Sequence, residues 1–161
     1  MVSVHEFEDD ESIDDNSILL RRVSPHHLNP AHVDADGRRR LTSQCFQDYS
    51  ADAAKDLGLP GPCMSVGLKL ILQTEQRDPR EMLRGFPQHG LAEVRAGDAR
   101  HLTGPNGDNW AQGIMSNPTD SEPWHAVVFS VNTPKKTKGV MNALAKAARW
   151  VIYPQDSSDS A

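Results

Sequence analysis

The chain has no apolar run long enough to cross a membrane as a helix. Its longest such stretches, Ala126 to Val131 and Val151 to Tyr153, are strand-sized, whereas a spanning helix takes roughly 18 or more consecutive apolar residues. The beginning is not the basic start and apolar middle of a secretory signal, so the cytoplasm is the expected compartment. Cysteine is scarce: Cys45 and Cys63 are the only two, without CxxC spacing. That excludes a disulfide framework and a thiolate zinc site, and two reduced, buried thiols are expected. Positive charge is missing from residues 1–16, which carry seven acids and no Lys or Arg. Such a composition buries too little apolar surface to offset ordering entropy, so residues 1–16 are expected to form a disordered acidic leader, and the polar residues 155–161 a disordered tail. Neither GxxxxGK[ST] nor GxGxxG is present, which removes the common phosphate-loop signatures. No internal repeat is visible in the residues.

What is present suits one α+β domain over residues 17–154: a small twisted mixed sheet with two or three packed helices. The formal charge of the whole is -5, and without the leader's seven negative charges the remainder is +2. Ile18 to Val23 reads as a strand ending before Pro25. Asp34 to Gly37, DADG, is a turn. Ala51 to Leu57 reads as a helical turn stopped by Gly58, and Met64 begins a strand that passes into a helix. Asp78-Pro79 opens a further helix closed by Gly85. Gly90 to Arg95 is a strand, and Ala96 to Asn117, rich in Gly and Pro, is mostly loop. His125 to Val131 is the clearest buried strand. Thr133-Pro134 starts the clearest helix, which runs to Arg149. Its apolar face is Val140, Met141, Leu144, Ala148 and Val151, and Lys135, Lys138, Asn142, Lys146 and Arg149 lie opposite. Val151 to Tyr153 closes the domain as a short strand.

Polar chemistry is densest between Ile18 and Ser50. His27 and His32 have the spacing of a zinc-ligand pair but lack a cysteine pair, and no metal site is expected. His26, Asn29 and His32 have the residue types of a histidine–asparagine–histidine nuclease, but Pro25 and Pro30 break the hairpin and helix it requires. Cys45 would need a histidine such as His125 beside it to act as a nucleophile. Lys135, Lys136 and Lys138 stand at a helix start, against the dipole, which hints at anion contact. The stripe has no aromatic and the chain no net positive charge, which disfavours nucleic acid. Gly104 to Gly113 is a glycine-rich surface loop with the composition of a mobile lid.

The segments LLRRVSPHHL and RRLTSQCFQD, joined by a spacer containing Gly37, resemble the opening of ADP-ribosyltransferase-like toxin and RES-type domains. The resemblance implies a split α+β sheet that clamps NAD. A first strand would carry a basic residue, Arg22, with His26 as substitute. A second strand would carry the hydroxyl cluster, Thr42 and Ser43. The late-strand glutamate of that pattern has no counterpart, because Glu75, Glu93 and Glu122 are all misplaced for it.

Two function classes follow. The first is a nucleotide- or NAD-binding protein of the ADP-ribosyltransferase-like kind, a toxin or defence component. Its catalytic candidates are Arg22, His26, Ser43 and His125; its cofactor-binding candidates are Arg22, Arg40, Thr42 and Ser43. Arg22, Ser43 and His125 are expected to converge on one cleft. Arg supplies a planar charged fork, Ser a hydroxyl, and His a proton switch near neutral pH. The second class is a non-catalytic interaction or accessory protein of a bacterial conflict system, with no cofactor, using exposed Trp110 and Trp124 as anchors for a protein partner. The residues alone leave catalysis undecided.

Overall fold

The computed structural model describes residues 6–154. One antiparallel sheet of six strands organises them: β1 (Ile18–Val23), β2 (Met64–Leu68), β3 (Gly90–Arg95), β4 (Gln112–Ser116), β5 (His125–Ser130) and β6 (Arg149–Ile152), in the order β4-β5-β2-β1-β3-β6. The α+β class stands. The sheet was expected to be mixed, but every pairing is antiparallel.

Strand alternation sorts side chains onto two faces. Leu19 and Val23 of β1, Val66 and Leu68 of β2, Ala92 and Val94 of β3, and Ala126 and Val128 of β5 share one buried cluster, the first face. Helices α3 (Ala96–Arg100) and α4 (Lys138–Ala147) and a 3-10 turn at Ser43–Phe46 supply that cluster with Ala96, Ala99, Val140, Leu144, Cys45 and Phe46. On the second face, Leu20, Leu91, Met82 and Trp124 join Leu72 of α2 (Lys69–Thr74), while Val127 and Phe129 pack with Ala54 of α1 (Ala51–Asp56) and Leu59. Apolar residues at positions i and i+4 of α4, Val140 and Leu144, are what dock it on the sheet.

Helix α4 is shorter than expected. Thr137 caps it, accepting from the Val140 N–H at 3.3 Å. Residues 133–136 lie outside the helix, and Lys136 among them is anchored to the body of the domain. Asp48 accepts from both the backbone N–H of Lys136, at 2.8 Å, and its ammonium, which also donates to the Val128 carbonyl at 2.9 Å. A lysine read as a hint of anion contact at a helix start is therefore buried in the core and held by Asp48, and that desolvation, against the pull of Asp48, lowers its pKa.

Two elements fall where loop was expected. Helix α3 begins at Ala96, and β4 occupies Gln112–Ser116. Their glycines accommodate close packing: a Cβ on Gly97 would lie 2.9 Å from the Asp15 side chain, and one on Gly113 2.2 Å from the Phe129 ring.

Residues 6–16 of the acidic leader pack against the domain, where a disordered leader was expected; residues 1–5 and the expected tail at 155–161 lie outside the described residues. The leader caps the free edge of β4. Ile114 donates its N–H to the Asp9 carboxylate at 2.8 Å, and its carbonyl accepts from the Asp10 N–H at 2.7 Å. Arg100 of α3 pairs with Asp9 at 3.2 Å and Asp15 at 3.0 Å. Ile13 is buried, and Phe7 stacks on Phe129 with centroids 4.7 Å apart. Composition missed these because the partners are supplied by residues some ninety positions later in the chain.

A repeated unit is also present, although the residues show none. Strands β1 and β3 each lead to a short helical turn and then to a tight hairpin. In the first hairpin Val33 bridges Arg39, and in the second Thr103 bridges Asn109. Hydrogen bonds recur at matching positions. The N–H groups of Asp34, Gly37 and Arg40 donate to the carbonyls of Arg38, Asp34 and His32; those of Gly104, Gly107 and Trp110 donate to Asp108, Gly104 and Leu102. Gly37 and Gly107 take φ of 78° and 77°, the left-handed region where glycine alone is unstrained. Two segments with almost no residue identity thus adopt one turn.

Candidate functional site: a cationic cleft beside the first hairpin

Four of the expected site residues meet at one place. The 3-10 turn at Pro25–His27, the first hairpin, the turn at Ser43–Phe46 and α4 enclose two adjoining hollows of about 760 Å³ and 500 Å³. Arg40, Leu41, Thr42, Ser43 and Asn142 border both, so the two form one groove. His26, His27, His32 and Lys138 line one end, and Lys146, Arg149 and Trp150 the other.

Local sequence explains the arrangement. Pro25 and the Ser24 cap start the first turn, where the Ser24 hydroxyl accepts from the His26 N–H at 3.3 Å. Thr42 caps the second, and its hydroxyl donates to the His27 carbonyl at 2.7 Å, tying the two turns together. That commits the Thr42 hydroxyl to structure and leaves Ser43 to supply one to the groove. Thr42 and Ser43 therefore stand on a helical turn, where the resemblance implied a strand. Along α4, Lys138, Asn142 and Lys146 follow at intervals of four on the side opposite Val140 and Leu144, so one helix face packs while the other walls the groove.

The groove is electropositive. Arg40, Lys138 and Lys146 are exposed and pair with no carboxylate among the described residues. Arg149 is already held by Glu93. Asp34 is the single acid in the lining, and its carboxylate accepts from the N–H groups of Asp36 at 2.9 Å and Arg38 at 3.0 Å, closing the hairpin. Burial, reinforced by Arg21 and His26, holds His27 below the usual histidine range, so it stays neutral near pH 7.

Arg22 and His125 do not reach this groove. Both belong to the second face of the sheet. Arg22 lies over the Phe86 ring, 4.2 Å from its centroid, donates to the Met82 carbonyl at 3.3 Å, and pairs with Glu122 at 3.6 Å. The His125 ring bonds the Ser65 hydroxyl and the Asn117 carbonyl. The expected convergence of Arg22, Ser43 and His125 is thus overturned by strand parity: Arg22 points opposite to Arg21, and only the Arg21 side faces Ser43. Arg21 is the arginine that braces the first face, donating to the carbonyls of Cys45 at 3.0 Å and Ser65 at 2.8 Å.

Cys45 packs in the first-face core, with its Sγ beside the Thr42 hydroxyl at 3.6 Å, and does not meet His125. Both thiols are free and buried, and burial raises their pKa, that of Cys63 to about 12, which keeps them protonated. Trp124 is buried and Trp110 half-buried against Gly104 and Gly139, so neither offers the exposed anchor expected of an interaction module. The glycine-rich segment from Gly104 is no lid, being hairpin and then β4. Among the described residues no group of His, Cys, Asp and Glu is arranged to hold a metal ion, and no helix is long and apolar enough to cross a membrane. Lys138 was read as a hint of anion contact, but Asn142 and Lys146 only as a polar helix face; the signal that places all three is their interval of four combined with the docking of Val140 and Leu144. No family model, curated protein or solved structure matches the chain.

Proposed function

We propose that this chain binds a nucleotide-type anion, NAD or another phosphorylated nucleotide, in the groove between the first hairpin and α4. The carrying observation is the cluster of Arg40, Lys138 and Lys146 around Ser43 and Asn142, with no carboxylate partner among the described residues. Guanidinium and ammonium groups match phosphate oxygens. Ser43 and Asn142 supply hydroxyl and amide groups of the kind that orient a ribose, and half-buried Trp150 offers an aromatic wall at one end. His26 and His27 offer imidazole rings at the other.

The groove supports binding more strongly than ADP-ribosyl transfer. Stabilising a ribosyl cation takes a carboxylate, and Asp34, the one acid in the lining, is already occupied by its own hairpin. The resemblance to ADP-ribosyltransferase-like and RES-type domains therefore contributes the ligand class, with Arg40 and Ser43 taking the contacts and His26 standing at the rim.

Thermal melts and titration calorimetry with NAD, ADP-ribose, ATP and inorganic phosphate test the proposal. A ligand at 100 times its dissociation constant stabilises by about 2.7 kcal/mol, several degrees in melting temperature for a chain of this size. Arg40→Ala and Ser43→Ala should remove the shift and leave the unliganded melt nearly unchanged. Absence of a shift with all four at millimolar concentration would sink the proposal.

A further inference from the structure

The second face holds an arrangement the groove does not use. The Nδ1 of His125 lies 2.8 Å from the Asn117 carbonyl and 3.1 Å from the Asn117 side-chain oxygen. A carbonyl only accepts, so in the neutral ring Nδ1 carries the hydrogen and Nε2 is the acceptor. Nε2 lies within hydrogen-bond reach of the Ser65 hydroxyl, which must then be the donor. This is the order of a nucleophile, a base and an orienting acceptor.

Each member is fixed by the sheet. Ser65 belongs to β2 and His125 to β5, in a ladder that pairs Ser65 with Val127 and Gly67 with His125. The hydrogen bond therefore crosses the ladder diagonally. Arg21 holds the Ser65 carbonyl from the other face at 2.8 Å. The loop that carries Asn117 is closed on His125 by its own backbone, with the Asn117 N–H donating to the His125 carbonyl at 2.9 Å and the His125 N–H to the Glu122 carbonyl at 3.0 Å. Ser65 is buried, with 7% of its surface exposed, and His125 and Asn117 are half-buried, so the imidazole side of the group is the one open to solvent.

We propose that Ser65 and His125 form a nucleophile–base dyad for acyl transfer, acting on small activated acyl esters. Ser65 Oγ forms a bond to the acyl carbon as its proton passes to His125 Nε2. The ester C–O bond then breaks, and the departing oxygen takes that proton. Water, deprotonated by Nε2, bonds through its oxygen to the acyl carbon; the bond to Ser65 Oγ then breaks, Oγ takes the proton back from Nε2, and the acid departs. The Asn117 carbonyl is the positioning group that keeps the imidazole in this tautomer throughout.

A fluorophosphonate probe tests the first half-reaction, in which a P–O bond forms at Ser65, fluoride leaves, and the serine proton goes to His125. Intact-mass and peptide mass spectrometry of the folded chain should show one adduct, on Ser65. Ser65→Ala should show none. His125→Gln should slow labelling about a hundredfold, the size of a lost general base, with an unchanged melting curve. The same chain unfolded in concentrated urea should lose the reaction, which keeps the test decisive if either variant fails to fold. An unlabelled folded chain, an adduct elsewhere, labelling that survives in urea, or a folded His125→Gln variant reacting at the wild-type rate overturns the proposal.

Discussion

The two hairpins share a backbone and differ in what they do, and one position carries much of the difference. Arg40 ends the first hairpin as Trp110 ends the second, each donating its N–H to the matching carbonyl, His32 or Leu102. Trp110 turns its ring onto the helix: Cβ atoms on Gly139 of α4 or on Gly104 would stand 2.7 Å and 2.8 Å from it. Its hairpin is thereby sealed against α4. Arg40 does not seal. It stays exposed, and the space between its hairpin and α4 remains open as the groove. The same turn thus serves as a structural clamp on one flank of the helix and as the wall of an open groove on the other. A cleft in this fold is made by withholding an aromatic side chain, with no change of backbone.

The largest expected effect separates the clamp from the wall. Trp110→Ala should lower the unfolding free energy by about 3 kcal/mol, because it empties space against two glycines and the first-face core. Arg40→Ala should stay within about 0.5 kcal/mol of wild type, as befits an exposed side chain free of ion pairs. Urea denaturation of the two variants measures both. Comparable losses would erase the distinction between the hairpins.

The helical turns before the hairpins extend the comparison. In the second unit, Arg100 of α3 and His101 reach the leader: Arg100 bonds Asp9 and Asp15, and His101 bonds Asp15 at 2.9 Å. In the first unit, His26 and His27 have no such acidic strap and border the groove instead. Ile13 anchors the strap in the core. Ile13→Ala should cost about 2 kcal/mol and raise amide exchange at the backbone N–H of Ile114, which the Asp9 carboxylate holds. A variant with unchanged stability and unchanged protection at Ile114 would mean that the leader rests on the sheet without supporting it.

Much of this architecture could be read from residues, and the failures share one cause. Strands β1 and β3 were legible to the residue because short apolar stretches are bounded by Pro25 after the one and Gly90 before the other. Strand β5 was legible from its unbroken apolar run. Strand β4 and helix α3 were not, because Gly97 and Gly113 look like turn residues until Asp15 and Phe129 are seen pressing on them. His26, Arg40, Thr42 and Ser43 could be singled out because they crowd one polar stretch. Their partners on α4 lie about a hundred residues away and needed the docking geometry. Arg22 went astray on parity, since adjacent arginines on a strand face opposite ways and the choice between them is settled by what packs on each face. Ser65 was overlooked because a single serine inside MSVGL reads as part of a buried strand, and its importance comes from a histidine sixty residues later.

The smallest effect concerns acid, and it sharpens the same contrast. Around the first unit, burial lowers the pKa of His27 and of His89; Arg21 and His26 add to the effect at His27, and Arg22 and His27 at His89. The unfolded chain, with histidine near 6.5, takes up protons before the folded one does. Stability is therefore greatest above pH 6.5 and declines as pH falls through that value toward the folded pKa values. The strap of the second unit responds in a different window. Hydrogen bonds from His101 and Arg100 hold the Asp15 carboxyl below its ordinary 3.8, so its contribution persists above pH 3.8 and is lost only as pH falls toward the folded value. Urea midpoints measured from pH 7.5 to 5 should thus fall for the wild type and fall less for the double variant His27→Gln, His89→Gln. Asp15→Asn should shift the whole curve downward over that range. If the double variant kept the wild-type slope, the decline would belong to groups other than His27 and His89.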